Sequence, residues 1–201
     1  MTRLVLASSN AGKLRELSAL LAPLGHELVP QSALGFDSFP ETGTTFVENV
    51  LLKVRYASRL AHLPALADDS GIEVDAFGGR PGVYFARYAG EGVSDTQNLQ
   101  KLLAELQGVS DERRTARYQC VIALVRKADD PAPLIAEGAW EGRILQAPRG
   151  SHGFGYDPIF LPAGLQLTAA ELSAHDKNAV SHRGKALKAL VAQLRSLPGQ
   201  L

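Results

Sequence analysis

Apolar residues recur along this chain with two different periods, and the changes of period divide it into elements. Arg3 to Ala7 is an apolar run of strand length, and Leu14, Leu17, Leu20, Leu21 and Leu24 follow at helical spacing, which predicts a helix over Gly12 to Leu24. A second helix is predicted from Thr45, because Thr45-Phe46-Val47-Glu48 has the form of a capping box and Val47, Val50, Leu51, Val54 and Ala57 make one apolar stripe. Asn49 and Lys53, four apart, share a different face of that helix. Ala65 to Asp69 reads as a buried strand ending in acids, and Gly71 to Asp75 alternates as a separate one.

After the punctuation of Gly78-Gly79-Arg80-Pro81-Gly82, a helix from about Ser94 to Gln107 turns Leu99, Leu102, Leu103 and Leu106 inward. Arg114 to Arg126 and Pro133 to Ile144 are two longer strands, and the polar reversal Lys127-Ala128-Asp129-Asp130 between them predicts an antiparallel hairpin. A last helix, N-capped by Ser181 and running to about Leu197, packs Leu187, Leu190, Val191 and Leu194 on one side. Helices alternating with strands, one pair of them a hairpin, imply an α/β chain around a mixed central sheet flanked by helices; the strand order is not contained in the local pattern.

Composition narrows what such a chain can do. Its 201 residues, 45% hydrophobic and 21% charged, suffice for one domain or two tightly joined lobes that bury roughly 70% of the unfolded surface. Lysine plus arginine and aspartate plus glutamate both total 21, so there is no global basic field for nucleic acid or for an acidic membrane surface. The single cysteine, Cys120, lies in the apolar run Tyr118 to Val125, which predicts a buried inert thiol and no disulfide framework. No apolar stretch approaches the ~18 residues of a membrane helix, and the opening run is too short for a secretory signal, so a cytoplasmic protein is expected. No repeat, low-complexity tract or long linker marks a domain boundary.

Candidate chemistry concentrates in a few segments. Ser8-Ser9-Asn10-Ala11-Gly12-Lys13 joins a strand to a helix, where backbone N–H groups and the helix dipole favour an anion such as phosphate. It is not a Walker A loop, since Leu14 follows Lys13 where that motif requires Ser or Thr, and an ordinary turn with a solvated lysine has the same local sequence. In Asp68-Asp69-Ser70, neighbouring side chains on a strand point to opposite faces, so one aspartate is a site candidate and the other a support. Paired with a distant acid such as Glu41, that aspartate could hold Mg2+; as turn caps, both acids would be structural. Gly153-Phe154-Gly155-Tyr156-Asp157-Pro158 sets two aromatics among glycines, suited to stacking on a flat ligand or to filling a core edge. His182 and Arg183 fall in a first helical turn, where basic residues oppose the helix dipole, which points to an anionic or acceptor-rich partner or to a solvated turn.

Together these segments resemble the inosine/xanthosine triphosphate pyrophosphatase family over nearly the whole chain: Ser8 to Lys13, Glu41 to Asn49 with Lys53, Ala67 to Gly71, Pro81 to Tyr84, Phe154 to Phe160, Lys177-Asn178 and Ser181 to Leu187, in the family's order. The resemblance implies a homodimer of two-lobed α/β protomers with a nucleotide cleft between the lobes. It implies hydrolysis of ITP, dITP and XTP to the monophosphate and pyrophosphate. Carried over by position, Ser8, Ser9, Asn10, Ala11, Gly12 and Lys13 would cradle the triphosphate and Lys53 would add charge against it. Glu41 and Asp69 would hold Mg2+, with Asp69 also the base, and Ser70 would contact the substrate. Phe154, Gly155, Tyr156, Asp157, Lys177, His182 and Arg183 would enclose and read the nucleobase. Two positions depart from the family's usual pattern: Ser8-Ser9-Asn10 stands for Thr-Gly-Asn, and Phe85 stands for a serine.

The chemistry is consistent with that assignment, since phosphoryl transfer asks for charge neutralisation and an activated water more than for covalent help. Hypoxanthine and xanthine carry a 6-oxo acceptor that donors such as His182 and Arg183 would satisfy, whereas the 6-amino group of adenine cannot accept. Two alternatives share the same parts: a broader nucleoside triphosphate pyrophosphatase, and a catalytically silent nucleotide-binding protein, against which stands the presence of Lys13, Glu41, Lys53 and Asp69 together.

Overall fold

Strands covered on both faces need a continuous apolar run, whereas strands with one wet face alternate, and this chain contains both kinds, sometimes within one strand. The structure, a computed structural model, describes residues 2–37 and 39–196. The side chains of Leu20 and Leu24, and Leu197 altogether, lie outside the described residues.

In chain order the elements are β1 (Thr2–Leu6), α1 (Ala11–Leu21), β2 (His26–Pro30), α2 (Phe46–Ala61), β3 (Ala65–Val74), β4 (Pro81–Gly82), α3 (Asp95–Glu105), β5 (Thr115–Val125), β6 (Leu134–Ile144), β7 (Phe160–Pro162), α4 (Ala174–Val180) and α5 (His182–Ser196). The sheet runs β2-β1-β3-β5-β6-β7, with β4 on β3. It is mixed: β1 pairs parallel with β2 and β3, while β4 pairs antiparallel with β3 and β7 with β6. The α/β class with a mixed sheet flanked by helices is therefore the one the sequence predicts. Among the described residues no helix is long and apolar enough to cross a membrane.

Two compact units divide the chain, one comprising Met1–Asp69, Cys120–Gly138 and Arg183–Leu201, the other Ser70–Gln119 and Ala139–His182. In the first unit the strands are apolar on both faces. Leu4 and Leu6 of β1, Leu66 of β3 and Cys120, Ile122 and Leu124 of β5 pack with Leu17 and Leu21 of α1 and with Leu187 and Leu190 of α5. The alternate residues Val5, Ala65, Ala67, Val121, Ala123 and Val125 pack with Val50, Val54 and Ala57 of α2. The period of two thus sends every second side chain of one strand to a different helical layer.

In the second unit Ile72, Val74, Tyr118, Trp140 and Ile144 pack with Leu99, Leu102 and Leu106 of α3, and with Tyr156 and Phe160. The intervening side chains are polar: Arg117 binds Asp75 through two nitrogens and also reaches Glu141 and Glu73.

The sequence reading divides one strand that the structure keeps whole. Asp68-Asp69-Ser70 does not end a strand; β3 is continuous over ten residues, all but Glu73 buried. The final helix starts where the sequence places it: Ser181 closes α4 with an extended backbone, donating its N–H to the Lys177 carbonyl, and stands immediately before α5, which begins at His182. The box at Thr45 also forms as expected, with Thr45 Oγ1 accepting from the Glu48 N–H and the Glu48 carboxylate accepting from the Thr45 N–H.

The turn between β5 and β6 is closed by Asp130. Its carboxylate accepts from the Arg126 N–H, from Arg126 Nε and Nη2, and from the Ala132 N–H at 2.7–3.0 Å. The Arg126 hydrogen bonds, assisted by the two backbone donors, outweigh burial and hold this carboxyl well below the usual carboxylate range. Replacing Asp130 with Asn removes the ionic acceptor and is expected to cost about 1–2 kcal/mol, a fall in melting temperature of roughly 2–8 °C. Because the folded-state pKa is depressed, the contribution is complete above the unfolded carboxyl pKa of about 4 and is lost as pH falls below it. Melting curves of both proteins at neutral pH and near pH 3 check this, since the gap between them should narrow in acid.

Candidate active site

The turn after β1 begins the site in the first unit. Asn10 N-caps α1, its Oδ1 accepting from the Gly12 and Lys13 N–H groups at 2.8 and 3.1 Å, and Ser8 Oγ accepts from the Asn10 N–H at 3.2 Å. Ser9, Asn10 and Ala11 are exposed, while Ser8 and Gly12 are half-buried. Lys13 points inward from this turn, and its Nζ lies 3.1 Å from Asp68 Oδ2.

Asp68 and Asp69 sit on opposite faces of β3 and meet different cations. Asp68, on the face shared with Leu66, is paired by Lys13 of α1 and by Arg183 of α5, whose Nε lies 3.2 Å from Asp68 Oδ2. Arg183 also binds Glu16 of α1 through Nη1. Burial opposes ionisation of Asp68, but Lys13, Arg183 and Lys53 together outweigh it and hold the carboxyl far below its ordinary value. Arg183 is shifted up: burial alone would lower it, and Asp68 and Glu16 reverse that.

Asp69 faces α2. There Lys53 Nζ donates to Glu41 Oε1 at 2.7 Å, to the Asp68 carbonyl at 2.9 Å and to Asp69 Oδ1 at 3.1 Å. A lysine has three N–H donors, so one buried ammonium ties together the two predicted metal ligands and the strand backbone. The Asp69 carboxyl is shifted upward, first by burial and also by the neighbouring Glu41 carboxylate, against the pull of Lys53. Lys53 is raised in turn, Asp69 and Glu41 overcoming the effect of its burial.

Glu41 is a loop residue, yet α2 fixes its segment. Gly43 N–H donates to Asn49 Oδ1 at 2.8 Å, and Thr44 donates to Glu48 through both N–H and Oγ1. A Cβ on Gly43 would lie 2.7 Å from Glu48 Cβ and 2.8 Å from Asn49 Oδ1, so only glycine allows this approach.

The chemistry of this group suits a hard cation. The carboxylates of Glu41, Asp68 and Asp69 converge here with the ammonium groups of Lys13 and Lys53. Asp69 Oδ2 is buried and makes no hydrogen bond. Such an oxygen is costly unless a proton or a cation reaches it. Among the described residues no group of three or more His, Cys, Asp and Glu side chains is arranged to hold a metal unaided. Two carboxylates are nevertheless the kind of set used by Mg2+, which completes its shell with waters and phosphate oxygens.

The second unit carries the remaining candidates. Ser70 follows Asp69 on β3 and is buried. Asp157 organises the glycine–aromatic segment: its Oδ2 accepts from the Phe154 N–H at 2.9 Å and from Lys177 Nζ at 2.7 Å. Lys177 Nζ also lies 5.0 Å from the centre of the half-buried Phe154 ring. At Gly153, with φ +77°, a Cβ would come within 2.1 Å of Asp157 Oδ2. The Gly155 N–H donates to Asp95 Oδ2. Tyr156 takes the second use the sequence allows and fills a core edge, which corrects its carried-over place against the nucleobase: it is 1% exposed, with its hydroxyl donating to the Phe85 carbonyl. His182 lies against aromatic rings of β5 and β6, 4.6 Å from Tyr118 and 6.4 Å from Trp140 between ring centres.

Several of these partners had no local signal. Glu16, Asp95, Tyr118 and Trp140 meet their partners across 167, 60, 64 and 42 residues respectively (183 − 16, 155 − 95, 182 − 118 and 182 − 140). Asn49 does carry a local signal, its shared helical face with Lys53. Cys120 behaves as the sequence predicts, fully buried, its thiol pushed up to about 12 by burial and by Asp68.

Lys53 yields a prediction. Replacing it with Met leaves Glu41 and Asp69 beside each other without their cation, a change worth roughly 3–5 kcal/mol when a buried pair loses one partner. The loss should be greatest at alkaline pH and shrink as pH falls and the raised Asp69 carboxyl takes up a proton. Thermal melts of wild type and Lys53→Met between pH 5 and 9 measure it; a pH-independent gap contradicts the assignment.

The chain is similar to known proteins over nearly its whole length. A profile described as the Ham1 family matches residues 4–193. The dITP/XTP pyrophosphatase of Methylococcus capsulatus is 57% identical over 197 residues, covering 98% of each chain. That of Shigella flexneri is 53% identical over 196 residues, covering 98% of this chain and 100% of the relative. A solved HAM1 protein from Coxiella burnetii is similar with a TM-score of 0.89 and 48% identity, over 98% of this chain and 100% of that one.

Proposed function

We propose, on the premise that this chain belongs to the Ham1 family, that it hydrolyses the non-standard purine nucleoside triphosphates ITP, dITP and XTP to the monophosphate and pyrophosphate. The observation that carries the reading is the convergence of Glu41 and Asp69 on the Lys53 ammonium, with the buried Asp69 Oδ2 left unmatched. Relatives more than half identical over nearly their whole length are dITP/XTP pyrophosphatases, which supports the substrate class.

Glu41 and Asp69 would hold Mg2+, which when bound neutralises phosphate charge and acidifies a water. The chain's own residues supply the rest. Asp69 accepts the proton of the attacking water at Oδ2; an upward-shifted carboxyl is a better proton acceptor near neutral pH than an ordinary one. The water oxygen bonds to the α-phosphorus, the bond from that phosphorus to the bridging oxygen breaks, and pyrophosphate leaves. Lys53 keeps Glu41 and Asp69 close together despite their like charge, and Asp68 holds Lys13 beside the turn of Ser8, Ser9, Asn10, Ala11 and Gly12, where the triphosphate would bind. In the second unit, Phe154 presents a ring face for a purine, braced by Lys177 and Asp157. His182 supplies a donor suited to a 6-oxo group. Ser70 and Gly155 complete the expected contacts, and Arg183 serves through its grip on Asp68 and Glu16. A homodimer in the cytoplasm, acting on free nucleotides and neither on nucleic acid nor at a membrane, completes the reading.

Purified protein with Mg2+ should release pyrophosphate, and not orthophosphate, from ITP, dITP and XTP, with far less from ATP and dUTP. Equal use of all five nucleotides would favour the broader pyrophosphatase, and release from none the silent binder. Asp69→Asn should lower turnover at least 1000-fold while nucleotide binding, followed by calorimetry, is largely kept; near-normal turnover removes Asp69 as the base.

A further inference from the structure

The aromatic residues around His182 are not accounted for by the reaction. His182 is 4% exposed, the first residue of α5, and its imidazole lies nearly parallel to the Tyr118 ring, 8° between planes and 4.6 Å between centres. The Trp140 ring stands 6.4 Å away at 20°. Phe160 braces both from β7, edge-on to Tyr118 at 4.7 Å and tilted against Trp140 at 5.4 Å. Tyr118 and Trp140 are themselves buried on β5 and β6. The imidazole is therefore held against a rigid aromatic face that belongs to the sheet.

That matters because of how histidine donates. An imidazole N–H points in the plane of its ring, so the ring plane decides where a hydrogen bond can be made. The torsion that sets this plane, between an sp3 and an sp2 carbon, has a broad, roughly two-fold preference, and nothing intrinsic to histidine fixes it. A parallel aromatic neighbour restricts it, since rotating the imidazole out of the stack would drive its edge into the Tyr118 face.

We infer that Tyr118 is a specificity-determining positioning residue: by stacking on His182 it fixes the plane in which the imidazole meets the 6-oxo group of the purine. The inference deepens the proposed function and rests on it. Tyr118 touches no substrate atom in this role; it acts on His182, with Trp140 as the outer support. Loss of the ring should weaken discrimination between a 6-oxo purine and a 6-amino purine more than turnover as such. A misoriented donor forfeits the bond to ITP, whereas ATP offers no acceptor there to lose.

The test compares Tyr118→Phe, which keeps the ring face, with Tyr118→Leu, which fills similar space without one. kcat and KM are measured for ITP and ATP with Mg2+. Tyr118→Leu is expected to raise KM for ITP about tenfold, with the ATP values changed by less than twofold, so that the ratio of kcat/KM for the two substrates falls about tenfold. Tyr118→Phe should keep the wild-type ratio. An unchanged ratio in Tyr118→Leu overturns the inference, as does an equal loss for ITP and ATP, which marks a merely structural residue. A fall in Tyr118→Phe as large as in Tyr118→Leu overturns it too, since the hydroxyl and not the ring would then be responsible. Should Tyr118→Leu fail to fold, proton NMR of the wild-type protein decides. Ring-current displacement of the His182 ring protons to high field, retained in Tyr118→Phe, supports the stack, and ordinary positions overturn it. Wild-type protein that does not release pyrophosphate from ITP refutes the proposed function itself, an outcome distinct from all of these.

Discussion

The acids of the first unit are organised around one buried ammonium. Lys53 bonds the carboxylates of Glu41 and Asp69 and the carbonyl of Asp68, and removes a repulsion that would otherwise keep the two acids apart. Burying charge is unfavourable unless each charge is matched, and here the match extends outward: Lys13 and Arg183 on Asp68, then Glu16 on Arg183. One oxygen of the group, Asp69 Oδ2, is nonetheless buried without a hydrogen bond. A fold optimised for stability alone would have no reason to keep such an atom. A site that must attract a cation and accept a proton does.

The arrangement follows from the pleat of β3. Successive residues face opposite layers, so Asp68 and Asp69 are adjacent in sequence yet are served by different helices, the first by α1 and α5, the second by α2. Their environments drive their acidities in opposite directions. Asp68, matched by several cations, stays ionised and holds Lys13 and Arg183 in place; Asp69, nearer to another carboxylate, retains an affinity for protons. Two identical side chains acquire two roles from one feature of strand geometry.

Local order was legible in the sequence and long-range pairing was not. The box at Thr45 and the stripe of α2 could be read because their partners lie within one or two helical turns. The alternation that marks the wet face of β3 beyond residue 70 was also visible, and corresponds to the Arg117 network. β3 itself was divided in two, because a run of aspartates and a serine has the composition of a turn. What makes it a strand interior is cations 16 and 115 residues away, from Lys53 and Arg183. Similarly, Phe154 and Tyr156 look alike as sequence, and only the core that takes up Tyr156 separates them. Of the site, the residue types and their order were readable. The division of labour between Asp68 and Asp69, and the aromatic bed beneath His182, were not.

Glu41 lies outside any regular element, yet its segment is fastened to α2 at Glu48, Asn49 and Lys53 by the bonds from Thr44, from Gly43 and to Glu41 itself. Mechanically it is a fitting on the helix and not a loop. The gap between Glu41 and Asp69 is accordingly set by how closely α2 lies on the sheet, and the layer between them is apolar, with Val50, Val54 and Ala57 on the helix and Ala65 and Ala67 on β3. That layer acts as a spacer gauge. It takes no part in the chemistry, but its thickness governs how far apart the two acids stand.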